Sequence, residues 1–116
     1  MNLGHTVGHA IEKQSDYTIT HGHAVAIGMA VMTRTAVKNE LCSCDDLNEL
    51  LNALRANSLP TECPCGLDEL INGMLSDKKR RGDSITLVVP EKIGKCILKK
   101  IPISDLEKFI SSGLRE

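Results

Sequence analysis

Tryptophan is absent from these 116 residues, and tyrosine and phenylalanine occur once each. A core this poor in aromatics must be built from Leu, Ile, Val, Met and Ala, which suits helix-on-helix packing better than a sandwich or barrel. Long apolar runs are also missing. The longest, Ala24 to Met32, falls short of the roughly 18 residues that mark a membrane span and reads as a buried core helix. Neither sign of charge dominates: 14 basic and 15 acidic residues leave a net charge of −1. That balance excludes a disordered or nucleic-acid-coating chain, so neither nucleic acid nor membrane is expected as a partner.

No basic-then-apolar leader is visible, and a cytoplasmic chain with its five cysteines as reduced thiols is expected. A glycine-rich dinucleotide turn is lacking as well. Gly4-His5-Thr6-Val7-Gly8 has the wrong composition and no strand before it. The chain opens directly on these motif residues, which suggests an initiator Met placed on an internal fragment.

What is present reads as one domain, residues 1–116, mainly α with one short β-hairpin. The pattern predicts helices over about 2–14, 22–40 and 45–57, the third capped by Asp45 or Asp46. Residues 24–32 are apolar on every side, so the second helix belongs in the middle of the packing. Leu67, Leu70, Ile71, Met74 and Leu75 predict a fourth helix, followed by a charged loop over residues 77–82. The period then changes to β-like at 85–89 and 96–98, with a turn at 90–94. A last helix from Ser104 to about Ser112 carries a capping-box pattern, with Glu107 three residues on.

All four histidines fall between residues 5 and 23. His5 and His9 stand four apart, so a helix points both from one face, a spacing that serves a divalent metal. His21 and His23 bracket Gly22 at the start of the second helix, which a short loop folds back beside the first. Imidazole is neutral near pH 7 and a good transition-metal ligand. Gly4, Gly8 and Gly28 are expected inside helices, where each costs about 1 kcal/mol relative to Ala, and such a cost signals close approach of a backbone, partner or ligand. The plainer alternative is ordinary histidines with glycines that permit tight helix contact.

Asn2-Leu3-Gly4-His5-Thr6-Val7-Gly8-His9-Ala10-Ile11-Glu12, then His21-Gly22-His23-Ala24-Val25-Ala26-Ile27-Gly28-Met29, resembles the C-terminal domain of the 3-dehydroquinate synthase family. Asp77-Lys78-Lys79, Gly82, Leu87-Val88-Val89-Pro90 and Ile93-Gly94 match that family's later segment in order. The resemblance covers most of the chain and is weakest between Leu41 and Gly66.

The resemblance implies a multihelical C-terminal domain of the dehydroquinate synthase-like fold. It implies conversion of 3-deoxy-arabino-heptulosonate 7-phosphate to 3-dehydroquinate and phosphate, in the shikimate pathway, with NAD and zinc or cobalt. His5 and His21 would be metal ligands. Asn2 and His9 would contact the substrate, His9 near the phosphate and assisting proton transfer, and Lys78 or Lys79 would supply the matching cation. NAD would be bound mainly by an N-terminal domain that these residues do not include, together with a carboxylate metal ligand. A homodimer is the family's common state. The isolated chain is therefore expected to have no synthase activity.

One residue departs from the family pattern: His23 stands where that family commonly has Glu. Cys42-Ser43-Cys44 and Cys63-Pro64-Cys65 offer a rival reading, a structural zinc site, though their spacing is poorer than two C-x-x-C knuckles. Related sugar-phosphate cyclases, metal-dependent polyol dehydrogenases and a helical interaction module without catalysis are the alternative functions.

Overall fold

The computed structural model of the chain describes residues 4–75, 83–92 and 94–115. Among the described residues, five helices and one hairpin follow in order: α1 (His5–Gln14), α2 (His21–Lys38), α3 (Cys44–Ala56), α4 (Leu67–Leu75), β1 (Ser84–Lys92), β2 (Lys95–Pro102) and α5 (Ile103–Ile110). A single 3₁₀ turn, Ser111–Gly113, closes the described chain. The mainly α class with one hairpin is as the sequence implies.

Helix α2 is the axis of the packing because almost every side of it is buried. Ala24, Ile27, Val31, Met32 and Ala36 join the main core, while Ala26 and Ala30 face Leu51 and Leu54 of α3 in a second, smaller one. Val7, Ala10 and Ile11 of α1 and Leu70 and Met74 of α4 complete the main core on one side. Ile85, Leu87 and Val89 alternate inward from β1, as a strand with one buried face requires.

The seam between α1 and α2 is set by glycine. A methyl group on Gly8 would lie 3.0 Å from the Ala24 carbonyl oxygen, and one on Gly28 would collide with the Gly4 carbonyl oxygen. Gly4 itself is not inside the helix as expected. It is the N-terminal flanking residue, with φ of +83°, and a side chain there would strike the Met29 amide nitrogen at 2.6 Å. Its left-handed backbone and the lack of room both demand glycine.

Several expected boundaries are corrected. Ser43, not Asp45 or Asp46, caps α3 by accepting from the Asp46 amide at 3.2 Å, and the two aspartates sit in the first turn. Ser104 is not a cap but lies inside α5, which starts at Ile103 after Pro102. The Ile103 amide donates to the Asp83 carbonyl at 2.7 Å, so a long-range backbone bond fixes that helix start. The hairpin is also longer than expected, pairing Ser84 with Pro102 through to Lys92 with Lys95. Pro90 pairs with Cys96 beside a register irregularity, a position a two-stranded edge tolerates. The charged loop expected at residues 77–82 lies outside the described residues.

A buried cation anchors the C-terminal end. Arg34 of α2 donates through Nε to the Gly113 carbonyl at 2.8 Å, and through Nη2 to the carbonyls of Leu114 at 3.1 Å and Thr61 at 2.5 Å. Cys63 adds a backbone bond to the Leu114 carbonyl at 2.9 Å.

Candidate metal centre

Helix α1 presents two chemically distinct faces. Val7, Gly8, Ala10 and Ile11 are buried, whereas His5, His9 and Glu12 recur at i, i+4 and i+7 and share the opposite face. His21 is brought to this face by the turn over residues 15–20. The Tyr17 amide donates to the Glu12 carbonyl at 2.8 Å, and the Ser15 hydroxyl donates to the same carbonyl at 3.0 Å. Asp16 and Tyr17 both take left-handed backbone, with φ of 56° and 61°, a strain of order 1 kcal/mol or more for each non-glycine residue. Ile19 is packed against the core and holds the far side of the turn. Thr20 then caps α2, its hydroxyl accepting from the His23 amide at 3.3 Å.

The result is a corner where His5 and His21, sixteen positions apart in sequence, meet edge to face. Their ring centroids are 5.6 Å apart with an interplanar angle of 82°. Two imidazoles held about 2.1 Å from one tetrahedral ion would put their centroids about 5 Å apart, so this spacing fits a shared metal. His21 Nδ1 lies 2.8 Å from Glu12 Oε1. The carboxylate is mostly enclosed, its side chain 12% exposed, while the His21 side chain is 65% exposed. One edge of the His21 ring is thus tied down, and the ring remains open to an incoming ion.

The remaining site candidates are placed as follows. His9 is exposed, one helical turn beyond His5 on the same face, and His23 is exposed in the first turn of α2. Asn2, Lys78 and Lys79 lie outside the described residues. Glu12 ends the first motif, and the sequence alone assigns it no role. Its position seven residues after His5 is the signal that could have drawn it into the site.

Among the described residues, no group of three or more His, Cys, Asp or Glu side chains is arranged to hold a metal. The two C-x-C pairs do not come together as a four-thiolate site there. Cys63 and Cys65 lie with sulfurs 3.3 Å apart, and all five cysteines are free thiols. Burial, followed by its hydrogen bond with Cys63, pushes the Cys65 thiol up from its ordinary 9.0 to about 12. Burial and then the neighbouring Asp46 also raise Cys42. A raised thiol is a poor metal ligand and a poor nucleophile near neutrality, because the thiolate does that work.

An apolar hollow of about 260 Å³ lies elsewhere, lined by Met29, Thr33, Leu50, Pro90 and Cys96 among others. No histidine lines it, so this apolar hollow and the histidine corner are separate features.

Comparison with known proteins gives the chain its family. Residues 1–80 match the family described as 3-dehydroquinate synthase C-terminal. The 3-dehydroquinate synthase of Streptococcus thermophilus is 35% identical over 112 residues, covering 95% of this chain and 32% of that protein. That of Aeropyrum pernix is 34% identical over 111 residues, covering 95% and 31%. The chain therefore spans about a third of the length of the curated relatives it matches. Among solved structures, 2-deoxy-scyllo-inosose synthase complexed with carbaglucose-6-phosphate, NAD+ and Co2+ superposes with a TM-score of 0.75 at 25% identity, covering 97% of this chain and 34% of that one. The fold is shared with 2-epi-5-epi-valiolone synthase from Streptomyces hygroscopicus, bound to NAD+ and Zn2+, with a TM-score of 0.78 at 23% identity over 94% of this chain and 31% of that one.

Proposed function

This chain belongs to the 3-dehydroquinate synthase C-terminal family, and from that premise we propose that it is the metal- and substrate-binding helical part of a cytoplasmic 3-dehydroquinate synthase. The reaction is conversion of 3-deoxy-arabino-heptulosonate 7-phosphate to 3-dehydroquinate with release of phosphate. The observation that carries the reading is the meeting of His5 and His21 at 5.6 Å across the turn between α1 and α2.

In this reading His5 and His21 hold a zinc or cobalt ion as neutral imidazoles. The bound ion supplies Lewis-acid polarisation of a substrate hydroxyl and carbonyl. His9, exposed on the same face of α1, faces the phosphate end and moves a proton there. Asn2, Lys78 and Lys79 contribute substrate contacts, the lysines as cations for the phosphate. NAD and the third metal ligand come from an NAD-binding domain outside this chain, so the chain by itself turns nothing over. Assembly as a homodimer belongs to the same proposal.

Two related sugar-phosphate cyclases among the structural neighbours make a cyclase with another sugar phosphate the second reading. The match of residues 1–80 to the synthase family favours the first. Zinc titration of the chain tests the site directly: His5→Ala and His21→Ala are each expected to weaken binding at least about tenfold, the loss of one good ligand contact. Unchanged affinity in both variants overturns the reading. Phosphate release assayed with the chain, zinc and NAD is expected to be nil; turnover without a second polypeptide contradicts the division of labour.

A further inference from the structure

We infer that Glu12 is a positioning residue for His21: it fixes the imidazole tautomer and orientation in which His21 binds metal. This rests on the proposed metal role of His5 and His21. The chemistry follows from the donor inventory. An ionised carboxylate only accepts hydrogen bonds, so the 2.8 Å contact between Glu12 Oε1 and His21 Nδ1 requires the proton on Nδ1. In a neutral ring Nε2 then carries the lone pair, on the edge of the ring away from Glu12. That is the nitrogen left to bind an ion.

The surroundings make the contact more than a chance surface pairing. The Glu12 side chain is 12% exposed, and an enclosed carboxylate is costly unless it is bonded. Its backbone carbonyl is held at the same time by the Tyr17 amide and the Ser15 hydroxyl. Glu12 is therefore fixed on α1 two turns beyond His5, while His21 opens α2. One side chain ties the orientation of the ligand on α2 to the helix that carries the other ligand. Carboxylates behind metal-bound histidines act this way, and their loss costs about 10- to 100-fold in metal affinity.

The test uses the whole chain with zinc as the probe and long-range ¹H–¹⁵N spectra of the histidine side chains. Before metal is added, His21 is expected as the Nδ1–H tautomer. In Glu12→Ala that preference is lost and zinc affinity falls about 10- to 100-fold. Glu12→Gln, which keeps the shape and an accepting oxygen, is expected to retain the tautomer and lose less affinity. This variant also guards against a failure of Glu12→Ala to fold.

A merely structural tie between the helices predicts a lower melting temperature with the His21 tautomer and zinc affinity unchanged. That result overturns the inference, as does an Nε2–H tautomer for His21 in the unaltered chain. If zinc affinity is insensitive to Glu12 yet falls in His21→Ala, the positioning role fails while the metal site stands. Insensitivity to His5→Ala and His21→Ala as well overturns the metal site and the inference with it.

Discussion

The two faces of the α1–α2 pair are built to opposite specifications. On the buried seam, Gly4, Gly8 and Gly28 leave no room for a methyl group, and there is no polar chemistry to perform. On the outer corner, His5, His9 and His21 are polar and partly or largely open, with the Glu12 carboxylate enclosed behind His21, and they contribute little apolar burial. The difference separates stability from chemistry within one helix pair. The seam sets how closely the helices approach, and the turn over residues 15–20 converts that approach into the 5.6 Å spacing of His5 and His21.

The largest way to break this division is to widen the seam. Gly28→Ala drives a methyl into the Gly4 carbonyl, a backbone group that cannot swing aside as a side chain would, and is expected to cost about 3 kcal/mol, the upper part of the usual overpacking range. Urea unfolding measures that loss, and zinc affinity should fall with it because the corner sits on the seam. Next in size is Arg34→Met. It removes the donor to the carbonyls of Thr61, Gly113 and Leu114 and is expected to cost about 2 kcal/mol. Zinc affinity should not change, since Arg34 lies away from the corner. A matching loss of zinc binding would show that stability and chemistry are not separable here.

Thr20→Ala sharpens the boundary between the two regions. It removes the α2 cap bonded to the His23 amide and is expected to cost about 1 kcal/mol, with a modest loss of zinc affinity as the first turn frays. A separate contrast is the pH response of Cys65, away from the corner. Its thiol is raised in the folded chain from 9.0 to about 12, so its contribution is fully present below pH 9 and is lost as pH rises towards 12. Unfolding measured across that window should show a decline that is shallower in Cys65→Ser, with zinc affinity at pH 7 unchanged.

Much of this division is legible in the sequence, though not its details. The all-round apolar stretch of α2 declares a central helix, and the glycines declare close approach. Both readings rest on local composition. Histidines confined to the first 23 residues mark the corner. What escapes is set by contacts distant in sequence. Gly4 becomes a cap because Val25 and Met29 crowd it. The start of α5 is fixed by a bond to Asp83 and not by Ser104. Arg34 reads as an ordinary helix cation until its partners, up to 80 positions away, are seen. Glu12 is hidden for a different reason: a single glutamate on a polar face looks solvated until the turn brings His21 to it.

The most direct test of the metal pair is X-ray absorption at the zinc edge on the zinc-loaded chain. The account predicts two imidazole ligands at about 2.0–2.1 Å, with light oxygen scatterers completing the shell. A shell dominated by sulfur at about 2.3 Å would place the zinc on the cysteines and contradict it.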